Sequence, residues 1–194
     1  MYNSAELYGD NFFRKRGYLK WRAPIVCGAI DFLWDFGSVI DVGCGLGDLV
    51  AGFAELGHDS WGIEGSPACL PYAHVPQDRI MIHDLREPVE GVVTRRYDLL
   101  TCFEVIEHLE PERGGCALDN LIAMSDQIVT SISGSTGRYH LHVKPRDFWE
   151  RKFANRGFER DVDRELELLK IWQPVRLRTG IRCFWDNLIC FRKA

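Results

Sequence analysis

The sequence lacks several features that would assign it to a specialised class of protein. None of its seven cysteines forms a Cys-x-x-Cys pair, so neither a zinc site nor a disulfide framework is indicated. No apolar run is long enough to span a bilayer. The first residues show no basic start followed by an apolar stretch, which argues against a secretory signal. These absences predict a cytoplasmic protein with reduced thiols and no membrane partner.

Positive charge is also scarce. The 24 Lys and Arg residues are outnumbered by 28 Asp and Glu residues, which leaves a net charge of −4 over 194 residues. This balance argues against binding nucleic acid through bulk electrostatics, although a small site for a nucleic-acid end stays compatible with it. A chain of this length fits one domain with a substantial core. We therefore expect a single domain over 1–194, with an N-terminal helical cap at 1–36 and the core at 37–194.

The cap contains a long stretch without acids. Between positions 11 and 30 the charged residues are all basic, namely Arg14, Lys15, Arg16, Lys20 and Arg22. Charge runs are most often solvated surface. The alternative is a lid whose bases and aromatic residues, such as Tyr8 and Phe12, help to bind an anionic or aromatic substrate. A helix is predicted over 21–36, ending at Gly37.

A strand, a glycine-rich turn and a helix follow the cap. The apolar run from Val39 to Val42 predicts a buried parallel strand, and three alternate glycines come after it. Apolar residues then recur at helical spacing, so a helix is predicted from about Gly47. Such a turn lets the backbone approach a ligand closely while the helix N-terminus points at it. The stretch therefore predicts a nucleotide-type ligand site.

Strands and helices alternate along the rest of the chain. Further strands are predicted over 60–64, 79–82, 96–103, 127–132, 158–162 and 182–191, and helices over 66–76, 111–124, 145–155 and 165–172, the last ended by Pro174. This alternation predicts an α/β fold with a doubly wound parallel sheet. In such sheets the ligand lies beyond the carboxyl ends of the strands.

Acidic residues stand where a nucleoside would need them. Glu64 follows the second strand, and its carboxylate can accept hydrogen bonds from both hydroxyls of a ribose. Asp84 follows the third strand and can accept from an adenine amino group, with Leu85 covering the ring. Asp48 occupies the place of the third glycine of a dinucleotide-binding turn, where its charge would repel a pyrophosphate. This favours a phosphate-free, cationic cofactor such as S-adenosylmethionine over NAD(P).

Four stretches in order resemble the motifs of the class I S-adenosylmethionine-dependent methyltransferases. They are Val39-Ile40-Asp41-Val42-Gly43-Cys44-Gly45-Leu46-Gly47, Gly62-Ile63-Glu64-Gly65-Ser66, Asp84-Leu85, and the segment from Tyr97 to His108 that ends in Glu104-Val105-Ile106-Glu107-His108. The resemblance implies a Rossmann-like, seven-stranded sheet with the last strand antiparallel. It also implies a set of residues that bind the cofactor: Asp41, Gly43, Cys44, Gly45, Gly47, Glu64, Gly65, Asp84, Leu85, Phe103 and Glu104.

The methyl acceptor should meet the end of the fourth strand and the loop after the fifth. A base helps when the acceptor is a hydroxyl, and the candidate catalytic residues are Glu107, His108, His140 and His142. Glu104, Glu107, His108 and His142 resemble the metal set of ubiquinone-pathway O-methyltransferases and of small-RNA 3′-terminal ribose methyltransferases. The segment is also frequent in methyltransferases without an assigned metal, so we expect no metal and keep a divalent ion as the alternative.

Other residues of these loops are candidates for holding the acceptor. Phe148 and Trp149, together with Tyr8 and Phe12, either frame it or only pack in the core. Lys144 and Arg146 face an anionic acceptor or solvent.

The sequence thus predicts an S-adenosylmethionine-dependent methyltransferase. We expect O-methylation of a small molecule, a sugar or a nucleic-acid terminus. Two alternatives stay open at this point, a noncatalytic cofactor-binding or regulatory subunit and an NAD(P)-dependent oxidoreductase.

Overall fold

A computed structural model describes residues 8–137, 139–179 and 182–194. The first seven residues of the predicted cap therefore lie outside the described part. The sheet has seven strands in the order β3-β2-β1-β4-β5-β7-β6. Strand β7 runs antiparallel to β5 and β6, whereas the other pairs are parallel, which confirms the predicted topology. The strands are β1 (Ser38–Val42), β2 (Asp59–Glu64), β3 (Ile80–Ile82), β4 (Leu99–Phe103), β5 (Gln127–Ser131), β6 (Phe158–Arg160) and β7 (Leu188–Lys193).

Helices cover both faces of the sheet. The α-helices of the described residues are α1 (Asp10–Arg14), α2 (Ala23–Leu33), α3 (Asp48–Glu55), α4 (Gly114–Met124), α5 (Arg146–Ala154), α6 (Val162–Thr179) and α7 (Arg182–Asn187). Short 3₁₀ helices span Gly17–Arg22, Pro67–Tyr72, Gln77–Arg79 and Ile106–His108. No helix of these described ranges has both the length and the apolar character needed to cross a membrane.

Alternation along the strands builds two apolar cores. Val39 and Leu99 face the core made with α2, α3 and α6, whereas Ile40 and Leu100 face the core made with α4 and α5. Successive side chains of a strand point to opposite faces, so a sheet covered on both sides is apolar at nearly every position. The parallel strands β2, β1 and β4 are neighbours in this sheet, so their carboxyl ends lie together at one edge.

The end of the chain departs from the predicted pattern. A strand was expected over 182–191, but 182–187 forms α7 and β7 begins only at Leu188. Phe184 of α7 stacks on Phe103 with ring centroids 4.7 Å apart. Because the aromatic residues of this segment pack as a helix against β4, the apolar run did not distinguish strand from helix. Strand β4 likewise begins at Leu99 rather than at 96, since Tyr97 makes only an isolated bridge to Ser125.

Two proline-containing segments also differ from prediction. Helix α6 was expected to stop at Pro174 but continues to Thr179. Buried Trp172 before the proline and Val175 after it pack on the same core, and this packing outweighs the lost backbone hydrogen bond. The helix predicted over 66–76 is instead a 3₁₀ helix, Pro67–Tyr72, with Pro71 inside it.

Candidate active site

A cavity of about 570 Å³ opens at the carboxyl ends of β1, β2 and β4, with α1 over one side. We call the wall made by the loops after β1, β2 and β3 the donor half. We call the wall made by 8–16, 104–110 and Tyr139 the acceptor half. Eight of the predicted cofactor residues line the cavity: Gly43, Gly45, Glu64, Gly65, Asp84, Leu85, Phe103 and Glu104. Asp41, Cys44 and Gly47 do not line it.

The glycine turn needs its glycines for two different reasons. Gly43 and Gly45 have φ of +73° and +58°, a region that side chains disfavour. A Cβ on Gly43 would lie 2.4 Å from Cγ2 of Val105, so this glycine lets the loops after β1 and β4 touch. A Cβ on Gly45 would meet nothing within 4 Å. The backbone of Gly45 is therefore open to the cavity, as a ligand-contacting turn requires.

Glu64 is built into the donor half by backbone groups. Its two carboxylate oxygens accept hydrogen bonds from the amides of Gly45 and Ser66, both at 3.0 Å. Burial raises the pKa of Glu64, and these amide donors oppose that rise. The amide of Gly65 also lowers the pKa of Glu64. Since a carboxylate has about four acceptor positions, acceptor capacity remains for a ribose hydroxyl.

In the loop after β3, the carboxylate of Asp84 is held by Arg86. Arg86 donates to both carboxylate oxygens of Asp84 and also contacts Glu110 at 3.4 Å. Burial opposes ionisation of Asp84, but the hydrogen bonds from Arg86 hold its pKa below the ordinary value. The sequence did not single out Arg86, because only the folded loop shows that its guanidinium pairs with Asp84.

Three residues that the sequence singled out, Asp41, Cys44 and Asp48, lie next to the glycine turn but do not line the cavity. Asp41 is buried and accepts a 2.7 Å hydrogen bond from the Thr101 hydroxyl, and burial raises its pKa to about 7. The sulfur of buried Cys44 packs against Gly62 of β2. Asp48 begins α3 and pairs with His74 outside the cavity lining. Its charge still stands at a helix N-terminus, where it would oppose a phosphate.

Strained backbone marks the acceptor half. Glu104 and Tyr139 have φ of +56° and +72°, and both line the cavity. Within the described ranges they are the non-glycine residues with positive φ. A carboxylate oxygen of Glu104 accepts from the side-chain amide of Asn187 at 3.1 Å. Strain of this kind persists where surrounding contacts enforce it, and it is frequent at functional sites.

The contacts of His108 and His140 fix their tautomers. Nδ1 of His108 lies 3.1 Å from the carbonyl oxygen of Tyr139, and Nδ1 of His140 lies 2.9 Å from that of Ser135. A carbonyl only accepts, so each Nδ1 carries the proton and each Nε2 carries a lone pair. Burial lowers the pKa of His108, which favours its neutral form. His108 lines the cavity, whereas His140 stands behind it with ring centroids 4.8 Å apart.

Glu107 completes a cluster with the two histidines. Its carboxylate is fully buried; Oε1 accepts from the amide of Ser133 at 3.0 Å, and Oε2 has no hydrogen-bond partner among the described residues. Burial raises its pKa to about 8, and the nearby charge of Glu104 adds to the rise. One ligand atom each from Glu107, His108 and His140 lies within 4.8 Å of the other two.

His142 is not brought to the cavity. Its amide donates to the carbonyl of Glu107 at 3.0 Å, but its buried ring packs on Phe148 and Trp149. There it lines a separate space of about 60 Å³. The alternative metal set, which included His142, is therefore not assembled. Among the described residues it is His140 that lies beside Glu107 and His108.

The other acceptor candidates after β5 also point elsewhere. Phe148 and Trp149 pack with the apolar core, and neither lines the main cavity. Arg146 donates to Glu165 at 2.7 Å, and the Lys144 ammonium lies over the Phe148 ring. In their place the cap supplies aromatic side chains, Tyr8, Phe12 and Phe13, and the cation of Arg16.

The chain matches known methyltransferases in sequence and in fold. Residues 18–124 match the family model described as "Methyltransferase domain". The chain is 38% identical over 78 residues to a ubiquinone biosynthesis O-methyltransferase of Acinetobacter baylyi, which covers 37% of this chain and 33% of that protein. The match thus spans about a third of the length of such relatives.

Two solved structures have the same fold. The CcbJ methyltransferase from Streptomyces caelestis matches with a TM-score of 0.63 at 12% identity, covering 89% of this chain and 90% of that one. The magnesium protoporphyrin IX methyltransferase ChlM from Synechocystis, solved with bound S-adenosylhomocysteine, matches with a TM-score of 0.57 at 17% identity, covering 81% and 90%. Since the family model spans more than half of the chain and the sheet order agrees, the chain belongs to the class I S-adenosylmethionine-dependent methyltransferases.

Proposed function

We propose that this chain transfers the methyl group of S-adenosylmethionine to a hydroxyl oxygen of a small molecule, with His108 receiving the proton. The observation that carries the proposal is the fixed tautomer of His108 at the cavity wall. A neutral imidazole that lines the acceptor half and keeps its Nε2 lone pair can accept the proton of a bound hydroxyl. Membership of the methyltransferase family sets aside the oxidoreductase alternative.

The donor half suits the adenosine part of the methyl donor. Glu64 keeps acceptor capacity for a ribose hydroxyl while Gly45 and Ser66 hold it in place. Asp84, held by Arg86, presents a carboxylate beside Leu85 for an adenine amino group. The open Cβ direction of Gly45 leaves room for the methionine part. When bound, S-adenosylmethionine supplies an activated methyl group on a positively charged sulfur.

Because the methyl group is already activated in the donor, the acceptor half needs only to align the acceptor hydroxyl and to remove its proton. Methyl transfer is an in-line displacement, so the main contribution of the protein is position and exclusion of water. Tyr8 stands edge-on to His108 with ring centroids 6.2 Å apart, and it closes the cavity on the side of the cap. His108 can in this way hold a hydroxyl within a covered space while its Nδ1 stays anchored to Tyr139.

A divalent cation at Glu107, His108 and His140 is a second candidate for assisting the hydroxyl. The unpartnered Oε2 of Glu107 and the two Nε2 lone pairs are suitable ligands, and each Nδ1 donates to a carbonyl, as metal-bound histidines usually do. A bound ion would lower the pKa of a hydroxyl that coordinates it.

The proposal is tested with His108→Asn in a screen of hydroxylated acceptors with radiolabelled S-adenosylmethionine. Asparagine retains an N–H that can reach the Tyr139 carbonyl, but it lacks the Nε2 lone pair. We expect turnover to fall about 100-fold or more, with the dissociation constant of S-adenosylhomocysteine unchanged within about twofold. His83→Asn is the matched control, because His83 also lines the cavity but contacts the Glu87 carbonyl in the donor half.

Three outcomes separate the candidates. Full activity of His108→Asn would contradict the role of His108. Loss of wild-type activity in EDTA, with recovery in Mn²⁺ or Mg²⁺, would favour the cation. Binding of S-adenosylmethionine without methylation of any hydroxyl in the screen would favour the noncatalytic alternative.

A further inference from the structure

We infer that the acceptor carries an anionic group, such as a carboxylate, which the guanidinium of Arg16 binds at the mouth of the acceptor half. This inference rests on the proposed function, since it names the class of molecule that presents its hydroxyl to His108. It concerns a different part of the acceptor from the reacting oxygen.

The place of Arg16 is set by the packing of the cap. Phe13 is buried in a cluster with Cys44 and Val50, which anchors α1 on the loop after β1. The Ser66 hydroxyl donates to the carbonyl of Tyr8 at 2.6 Å, which joins the cap to the loop after β2. The amide of Arg16 donates to the Phe13 carbonyl, so Arg16 follows directly from this anchor.

The guanidinium of Arg16 lines the cavity and lies 4.4 Å over the ring of Phe12. Stacking on an aromatic face orients a guanidinium while its N–H groups stay available. Among the ion pairs found in the described residues, Arg16 has none within 4 Å. The other lining arginine, Arg86, is saturated by Asp84 and Glu110. Arg16 is therefore the cation that can serve a ligand.

The positive charge of Arg16 influences groups in both halves of the cavity, His108 and Glu64. It contributes, after burial and other groups, to the lowered pKa of His108, and it opposes the burial-driven rise in the pKa of Glu64. The side chain of Arg16 is exposed, so it stands at the mouth of the cavity within electrostatic reach of both walls. An anion there would be close to His108 and would leave the neutral imidazole free to meet the hydroxyl.

The neighbouring rings complete the description of the ligand. Phe12 and Tyr8 pack edge-to-face with centroids 4.9 Å apart, and Tyr8 continues to His108. This wall favours a planar body between the anionic group and the hydroxyl. An aromatic ring that carries one hydroxyl and one carboxylate satisfies the three features together.

The inference is tested by calorimetry on the protein loaded with S-adenosylhomocysteine. The probes are 4-hydroxybenzoate and 4-hydroxybenzamide, which differ in one charge. We expect the acid to bind about tenfold more tightly than the amide, as a charge-assisted bidentate contact provides. Arg16→Ala should remove that preference, and Arg16→Lys should restore part of it.

Lys15→Ala is the matched control, since it removes the same charge from the neighbouring residue, which does not line the cavity. It should keep the preference for the acid. Equal affinity for acid and amide, or no binding of the acid, would contradict the inference. Weaker binding of S-adenosylhomocysteine to Arg16→Ala would also contradict it, because Arg16 would then serve the donor's carboxylate. Charge-dependent binding without O-methylation of either probe would instead overturn the proposed function alone.

Discussion

The two halves of the cavity are built in different ways. In the donor half each acid is held by groups that lie at most 19 positions away in the chain: Glu64 by the amides of Gly45 and Ser66, and Asp84 by Arg86. The acceptor half depends on distant contacts, such as His108 with Tyr139, 31 positions away, and Glu104 with Asn187, 83 positions away. It also holds strained backbone and the unpartnered oxygen of Glu107. A short motif can specify the first half, but only the complete fold specifies the second.

Removing the central acid of the donor half should have the largest effect. We expect Glu64→Ala to weaken binding of S-adenosylhomocysteine about 100-fold, because the amides of Gly45 and Ser66 lose a buried charged partner. Calorimetry measures this directly. Glu90→Ala is the control, since Glu90 is exposed and remote from the cavity lining. An unchanged dissociation constant for Glu64→Ala would rule out its role at the ribose.

Alanine substitutions of Gly43 and Gly45 should affect different properties, the first mainly the stability of the fold and the second mainly the binding of the ligand. Gly43→Ala should destabilise the fold by about 2–4 kcal/mol, because it combines a left-handed backbone with a clash against Val105. Gly45→Ala should cost only about 1–2 kcal/mol from its backbone, but its methyl group enters the donor half. Urea unfolding and ligand titration of both variants test this. Equal stability losses would show that the contact with Val105 is unimportant.

The acceptor half can be disturbed without touching the cavity. A Cβ on Gly114 would lie 2.7 Å from the buried ring of His142, whose backbone holds the loop on Glu107. We expect Gly114→Ala to lower turnover about tenfold, a barrier change of about 1.4 kcal/mol, while S-adenosylhomocysteine binds normally. Gly115→Ala is the matched control, since its Cβ would meet only Arg156 at 3.9 Å. Similar turnover in both variants would contradict this account of the loop.

The acid behind the turn should respond to pH. The pKa of Asp41 is raised to about 7 by burial, so its protonated form favours folding and that stability is lost as pH rises through 7. Asp41→Asn should therefore be more stable than wild type at pH 8, by about 1 kcal/mol once the cost of burying an amide is included. At pH 5 the order should be reversed, because wild type regains stability as the pH falls from about 7 towards 3.8, the ordinary pKa of Asp. Thermal unfolding at both pH values checks it, and an advantage that does not depend on pH would exclude ionisation as the cause.

Local patterns predicted most of the fold and the donor half. Alternating apolar strands, the glycine turn and the acids after β2 and β3 each lie within a few residues of the feature that they explain. The start of β7 was missed because the aromatic residues of α7 suit either a strand or a helix until Phe184 meets Phe103. The end of α6 was missed because packing on both sides of Pro174 exceeds the local preference of proline.

The acceptor half was predicted only in outline. The sequence placed His140 and His142 together near His108, but it could not show which ring faces the cavity. That choice depends on the space beside Gly114 and Trp149, which receives His142 and leaves His140 beside Glu107. The roles of Asn187 and Tyr139 had no local signal, because Asn187 reaches Glu104 from the end of α7 and Tyr139 reaches His108 from the loop after β5.

The division into two halves is tested most directly by measuring ligand affinity and turnover side by side in Glu64→Ala and His108→Asn. The dissociation constant of S-adenosylhomocysteine should rise about 100-fold in the first variant and stay within about twofold in the second. Turnover at saturating donor should fall steeply in His108→Asn and much less in Glu64→Ala. A tenfold loss of donor affinity in His108→Asn, or normal turnover in that variant, would contradict the account.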